Sequence, residues 1–223
     1  MYENQSVAQR STESALATNK VLRNTYALLS MTLIFSAVMA AVGMAMNLGP
    51  GASLGASIGA IALVWFVLPR TANSSAGIFV VFAFTGLLGM GLGPVLNQYL
   101  ALGNGAQIVM TAAGGTGVIF LALSAYALTS RRDFSFLGGM LMAGFIVVLL
   151  AAVANIFFAI PALSLAISAA VILIMSGFIL FDTSRIIHGG ETNYIMATAG
   201  LYLSIYNIFV SLLHILGALG GER

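Results

Sequence analysis

Residues 195–217 read IMATAGLYLSIYNIFVSLLHILG. At about 1.5 Å of rise per residue, this apolar run is long enough to cross a bilayer as one α-helix. Small and polar residues recur along it every three or four positions, and they therefore share one helix face: Ala197, Gly200, Ser204, Asn207, Ser211, His214 and Gly217. Such a face is unfavourable against lipid. It predicts a helix buried in the centre of a bundle and bonded to its neighbours, or a helix that lines a water- or ion-accessible path.

Six further apolar runs precede this one. Of the 223 residues, 60% are hydrophobic and only 6% are Asp, Glu, Lys or Arg, a composition that no water-soluble domain could tolerate. The runs are about 20 residues long and lack the ~10-residue alternation of barrel strands. We therefore predict an all-α integral protein of the lipid bilayer with seven transmembrane helices. The predicted spans are residues 25–46, 51–69, 76–98, 106–129, 134–158, 162–184 and 195–217.

Seven of the eight basic residues fall on one side of these spans. They occur in the polar tail (residues 1–24) and in or beside the second, fourth and sixth connections, whereas the first, third and fifth connections carry no charge. The positive-inside rule makes the basic side cytoplasmic. The N-terminus is then cytoplasmic, the membrane domain covers residues 25–219, and the odd number of spans places residues 220–223 on the other side. The polar tail is predicted to be disordered.

Several chemistries need residues that the chain lacks. It has no cysteine for a thiolate metal site, and its one lysine, Lys20, lies in the tail, so that no Schiff base can form within the spans. His188 and His214 lie on different segments, which argues against a shared metal or haem site. The basic residues lie at membrane borders, so nucleic acid is not a predicted partner. These observations favour a non-enzymatic protein without a resident cofactor.

Glycines are patterned as well as frequent. Gly51, Gly55 and Gly59 repeat every four residues in the second span, and Gly89 and Gly93 do so in the third. Small residues at this spacing let transmembrane helices approach closely. Both sets are predicted to be helix-packing faces.

The stretch ILFDTSRIIHGGE, residues 179–191, ends the sixth span. Asp182 lies near the membrane border, and Arg185 follows one turn later, where an i, i+3 contact can form. In one interpretation the two side chains are an interfacial charge pair, and the following glycines stop the helix. In the other, Asp182 titrates: partial burial favours its neutral form, the guanidinium favours its charged form, and the balance makes a pH-dependent latch.

Six segments, taken in order, resemble the Bax inhibitor-1 family and most of all its bacterial YccA-like branch. They are KVLRNTYALLS (20–30), FAFTGLLGMGLGPVL (82–96), DFSFLGGML (133–141), VANIF (153–157), ILFDTSRIIHGGETNY (179–194) and LYLSIYNIFVSLL (201–213). The resemblance covers nearly the whole chain after residue 20. It implies a seven-helix fold in which the last helix is surrounded by the other six.

The resemblance also implies roles for single residues, because family members are described as pH-sensitive calcium leak channels. Asp182 matches the first of two acidic positions, which makes it a candidate calcium ligand, and Arg70 matches an arginine near the inner end of the second helix. Ser204 stands where the second acid is expected. Two close carboxylates share a proton, whereas a carboxylate that faces a hydroxyl does not. The candidate pH- and ion-sensing residues are therefore Asp182, Ser204, Arg70 and Arg185, without the full acidic pair.

The YccA-like branch implies a different function, modulation of FtsH, a membrane-anchored ATP-dependent protease. The polar tail would give such a partner a segment to grip. The primary prediction is a non-enzymatic protein of the bacterial inner membrane, with a periplasmic C-terminus, that associates with and modulates an FtsH-like protease. The alternative is a pH-sensitive calcium or cation leak channel with a path along the seventh helix and a gate near Asp182, in which calcium is transported or sensed.

Overall fold

The computed structural model describes residues 2–220, without the side chains of residues 2–15, Ala17 and Pro50. Within this part of the chain, seven helices are long and apolar enough to cross a membrane. They are α1 (Tyr2–Ala45, with its apolar span Thr18–Ala45), α2 (Pro50–Ala62, continued by Leu63–Val67 and Leu68–Thr71), α3 (Ala76–Leu100), α4 (Gly105–Ser130), α5 (Leu137–Phe158), α6 (Pro161–Ile187) and α7 (Tyr194–Gly220). This arrangement confirms the predicted all-α class and the seven spans.

The N-terminal tail differs from the prediction. We expected disorder over residues 1–24, whereas α1 begins at Tyr2 and runs through the tail without a break. No glycine or proline occurs before Gly43. Since most residues of the tail tolerate a helix well, nothing stops the helix of the apolar span from continuing into it. Of the predicted short end 220–223, only Gly220 lies within the described residues, where it ends α7.

Prolines and left-handed residues set several helix ends. Pro50 and Pro161 occupy the first turns of α2 and α6, where no N–H is needed. Arg131 and Ala159 follow α4 and α5 with φ of 49° each, and Gly189 follows α6 with φ of 75°. A left-handed residue at this position ends a helix and turns the chain.

A local irregularity in α2 precedes Pro69. The turn Leu63–Val67 is π-helical, because a proline has no N–H for the carbonyl four residues earlier and its ring crowds that carbonyl. After this wider turn Leu68 is fully buried in the bundle, whereas Arg70 is exposed at the end of the helix.

Helix α7 lies at the centre of the bundle. None of its residues from Tyr194 to Gly217 is exposed, and it packs directly against α1, α3, α4 and α6. Helix α2 packs mainly on α3, and α5 packs on α6. The central position is therefore confirmed, but four helices rather than six form the main contacts around α7, because α2 and α5 occupy outer positions.

The largest fully buried side chain of the described residues is Tyr202, halfway along α7. Its hydroxyl lies 2.6 Å from Ser36 Oγ of α1 and donates to the carbonyl of Thr85 in α3 at 3.3 Å. The ring of Phe84 meets the Tyr202 ring edge-on, with centroids 5.6 Å apart. A buried tyrosine needs a partner for its O–H, and here the partners join three helices.

The two predicted glycine faces have different outcomes. A Cβ atom at Gly93 would lie 2.4 Å from the backbone carbon of Gly43, and one at Gly89 would lie 2.3 Å from the carbonyl oxygen of Ser36. The packing prediction for α3 is therefore confirmed, since α1 crosses it at backbone contact. Gly51 and Gly55 of α2 have no atom within 4 Å of such a Cβ, so the prediction is wrong for these two. Only the last turn of that face, at Gly59, contacts α3, because α2 lies at the edge of the bundle.

The connections form two chemically different ends. The charged end consists of residues 72–75, 131–136 and 188–193, and side chains join its parts: Asn193 Nδ2 donates to the carbonyl of Ala72 at 3.0 Å and to Asn73 Oδ1 at 2.8 Å. The uncharged end consists of residues 46–49, 101–104 and 159–160. There, Asn97 Nδ2 donates to the carbonyl of Met44 at 3.1 Å.

Candidate functional site

A cavity of about 230 Å³ lies near the charged end, between α2, α6 and α7. Its polar lining comes from the end of α6 and the connection that follows, and its remaining lining is apolar: Asp182, Arg185 and Glu191, with Val64, Leu68, Met196, Ala197, Ala199, Gly200 and Leu203. Gly200 is the residue that makes room for the carboxylate, because a Cβ there would lie 2.9 Å from Asp182 Oδ2. Asp182 therefore packs against a glycine of the small and polar face of α7. This face is called the α7 stripe and consists of Ala197, Gly200, Ser204, Asn207, Ser211, His214 and Gly217.

The guanidinium of Arg185 is paired with Glu191. Its Nη2 lies 3.7 Å from Glu191 Oε2, and donates to the carbonyl of Gly190 at 3.1 Å. Arg185–Glu191 is the one salt bridge of the described residues. The predicted contact between Asp182 and Arg185 is therefore wrong as an ion pair, because the turn after α6 brings a nearer carboxylate to the arginine.

The Asp182 carboxylate has no hydrogen bond to any side chain or backbone group in the described part of the chain, and its oxygens face the cavity. A carboxylate in a largely apolar recess attracts a proton, water or a cation. Calcium prefers six to eight oxygen ligands, and among the side chains that the structure describes no group of three or more His, Asp or Glu residues could hold a metal ion.

Ser204 lies one helical turn beyond Gly200 on α7, towards the uncharged end. Gly200 faces Asp182, and His214 Nδ1 lies 2.8 Å from Ser168 Oγ. In both pairs the two residue numbers have the same sum, so α6 and α7 run antiparallel and keep one register along their length. In that register Ser204 lies opposite residue 178. It is buried but does not line the cavity. The structure therefore does not bring the position of the missing acid directly against Asp182.

Arg70 is likewise not among the residues that line the cavity. It is exposed at the end of α2, and its Nη1 donates to the carbonyl of Phe66 one turn earlier. Of the four candidate sensing residues, the structure brings only Asp182 and Arg185 into one cavity.

The remaining polar residues of the α7 stripe bond within α7 or to α6, or are buried. Asn207 Nδ2 donates to the carbonyl of Leu203 at 2.8 Å, Ser211 is buried, and His214 contacts Ser168 of α6. These contacts are those expected of a buried central helix. They favour the packing interpretation of the stripe over a continuous aqueous path.

Comparison with known proteins gives a consistent result. The family model described as inhibitor of apoptosis-promoting Bax1 matches residues 18–221. The chain belongs to the Bax inhibitor-1 family. It is 59% identical over 204 residues to the modulator of FtsH protease YccA of Escherichia coli (strain K12), and equally to the inner membrane protein YccA of Escherichia coli O6:H1, with 92% of each chain covered. It is also 52% identical over 212 residues to a membrane protein of Vibrio cholerae, with 95% of each chain covered.

In this member of the Bax inhibitor-1 family, sequence reasoning missed three residues of functional interest. Glu191 pairs with Arg185, and Gly200 packs against the Asp182 carboxylate. Tyr202 links α7 to α1 and α3 through its hydroxyl. A signal existed for Tyr202, since a tyrosine midway along an apolar helix needs a hydrogen-bond partner. No spacing rule indicates Glu191, because its position depends on the left-handed turn at Gly189.

Proposed function

We propose that this protein is a non-enzymatic inner-membrane protein that associates with and modulates an FtsH-like protease. The observation that carries the proposal is the 59% identity, over 92% of both chains, to the modulator of FtsH protease YccA. At this level of identity over 92% of both chains, the two proteins share one fold. Ser204 stands where the second acidic residue of the family is expected, so Asp182 has no acidic partner there. This also supports a role other than that of a pH-sensitive calcium channel.

We further propose that the charged end faces the cytoplasm. The basic residues in and beside its connections are those that the positive-inside rule retains there: Arg70, Arg131, Arg132 and Arg185. The tail, which continues α1 as a helix beyond the apolar span, then extends from the same side. In the proposed orientation, the tail and the three connections of the charged end lie on the same side of the membrane, where a cytoplasmic ATP-driven domain can contact them.

Co-reconstitution tests the primary proposal. Proteoliposomes with an FtsH-type protease and a membrane substrate are expected to degrade the substrate more slowly as this protein is added, until the effect saturates at a fixed protein ratio. Asp182→Asn should modulate the protease as the unaltered protein does, because the cavity carboxylate is not part of the proposed contact. Degradation at an unchanged rate, together with no recovery of the protease after gentle crosslinking in native membranes, would contradict the proposal.

One observation favours a second candidate function, a cation leak. The Asp182 carboxylate faces a cavity of about 230 Å³ at the end of the polar α7 stripe. If this carboxylate gates a path, Asp182→Asn is expected to reduce calcium flux into proteoliposomes to that of protein-free vesicles. Asp133→Asn, which alters an exposed carboxylate in a connection, should leave the flux unchanged. Equal flux through the unaltered protein and Asp182→Asn would eliminate this candidate.

A further inference from the structure

Four buried side-chain hydroxyls have no hydrogen-bond partner in the described part of the chain. They belong to Thr25 and Tyr26 of α1, Ser124 of α4 and Thr183 of α6. Thr25 and Thr183 are fully buried, and only 3% of Ser124 is exposed. A buried hydroxyl without a partner is unfavourable, and in folded proteins such groups are bonded either to protein atoms or to ordered water. These four hydroxyls therefore need a partner.

Other buried threonines of the bundle find a partner within their own helix. Thr32 Oγ1 donates to a carbonyl of α1 at 2.9 Å, and Thr116 Oγ1 donates to a carbonyl of α4 at 2.7 Å. Such a bond to the preceding turn is the usual one for a threonine in an apolar helix. Thr25 and Thr183 make no such bond among the described residues, so their hydroxyls stay available for a different partner.

Contacts between the helices place these hydroxyls at one depth. Helices α4 and α6 both end at the charged end, where the residue that caps α6 contacts the residue that caps α4. Ser124 lies six residues before the end of α4, and Thr183 lies four residues before the end of α6. Thr198, four residues after the start of α7, donates to the carbonyl of Thr25 at 3.3 Å. Thr25, Ser124 and Thr183 therefore share one layer, between one and two helical turns from the charged end.

The three helices also contact one another. Helix α6 packs against both α1 and α4. The ring of Tyr26 on α1 lies against that of Phe120 on α4, with centroids 6.0 Å apart, and Phe120 precedes Ser124 by one turn on the same helix face. Asp182, the neighbour of Thr183 in the sequence, faces the cavity between α2, α6 and α7 instead. The polar groups of the layer are thus neutral hydroxyls, which both donate and accept. They suit water, which does the same, and not a cation, which needs several oxygen ligands that only accept.

We propose that Thr25, Ser124 and Thr183 together bind ordered water between α1, α4 and α6, with the Tyr26 hydroxyl as a fourth group of the site. A buried water molecule typically makes about three hydrogen bonds to groups that otherwise lack a partner, and the layer offers hydroxyls from three helices. The site is separate from the cavity of Asp182. Near the charged end, α1 is then held to α4 and α6 by a molecule that exchanges with the solvent.

Water-edited solid-state NMR tests the site. The protein is prepared with isotope-labelled threonine and reconstituted into liposomes, and magnetisation is passed from water protons to the threonine Cβ signals. The signals of Thr25 and Thr183 are expected to build up several-fold faster than those of Thr32 and Thr116, which are also buried but are bonded within their own helices. Transfer to Thr25 and Thr183 that is as slow as transfer to Thr32 and Thr116 would overturn the proposal, because the hydroxyls would then be bonded to protein atoms.

Valine variants assign the signals and test whether the hydroxyls act together. Thr183→Val keeps the branched shape of the side chain and removes the hydroxyl, so the transfer to Thr25 is expected to slow several-fold as the shared water loses a partner. Thr32→Val is the matched control, since it removes a hydroxyl that is already bonded within α1, and it should leave the transfer to Thr25 and Thr183 unchanged. Full transfer to Thr25 in Thr183→Val would overturn the shared site, as would equal slowing in Thr32→Val.

Discussion

Gly93→Ala is expected to lower the free energy of unfolding by about 3 kcal/mol or more, a large cost for a single methyl group. The added Cβ would lie 2.4 Å from the backbone carbon of Gly43 and 2.5 Å from the backbone nitrogen of Met44. Neither atom belongs to a side chain that can rotate away, so α1 and α3 must separate. Unfolding in mixed detergent micelles, followed by far-UV circular dichroism, measures the change.

Gly114→Ala is the matched control for that prediction. Gly114 also lies within a transmembrane helix, α4, but it is exposed, and no atom lies within 4 Å of a Cβ built there. Alanine is better than glycine inside a helix by about 1 kcal/mol, so this variant is expected to be as stable as the unaltered protein or slightly more so. Equal losses in the two variants would contradict the prediction, because the close crossing of α1 and α3 would then not determine the response.

Tyr202→Ala is expected to cost about 4 kcal/mol of stability, as for other large buried rings. The ring lies fully buried at the centre of α7 against Phe84, and its hydroxyl joins Ser36 and the Thr85 carbonyl. Its removal leaves a cavity between three helices. Tyr202→Phe keeps the ring and loses only the hydroxyl contacts, which in membrane proteins contribute about 1 kcal/mol or less.

Tyr126→Ala tests whether the expected loss of stability in Tyr202→Ala comes from the burial of that ring and not from the loss of a tyrosine as such. Tyr126 lies on α4 with 48% of its surface exposed, and its truncation should cost less than about 1 kcal/mol. The same micelle titration serves all three tyrosine variants. If Tyr202→Ala were as mild as Tyr126→Ala, α7 could not be the tightly packed centre of the bundle.

The parts of the fold that were predictable depend on properties that each segment carries by itself. The length of an apolar run determines whether it can cross the bilayer. The polar stripe from Ala197 to Gly217 is unfavourable against lipid, so that face of α7 had to be buried. The same reasoning failed for Gly51 and Gly55. Spacing shows that a helix has a small face, but it does not show whether another helix of the same chain reaches that face.

The candidate site was harder to predict because it depends on contacts between segments. Helical spacing allows Arg185 to reach Asp182, yet the left-handed turn at Gly189 folds the chain back so that the N–H of Glu191 bonds to the Arg185 carbonyl at 3.1 Å. The competing carboxylate is thereby held beside the guanidinium. Likewise, the register of α6 against α7 decides that Asp182 faces Gly200 and not Ser204, and no periodicity within either helix contains that information.

Helix α5 differs from the other six in how little of it the bundle encloses. Leu141 is its only buried residue, and α6 is the main helix that it contacts. Around most of its circumference, a substitution exchanges one lipid-facing side chain for another. The tolerance of α5 to mutation therefore depends on its hydrophobic composition and scarcely on the order of its residues, whereas in α7 each position has its own neighbour to fit.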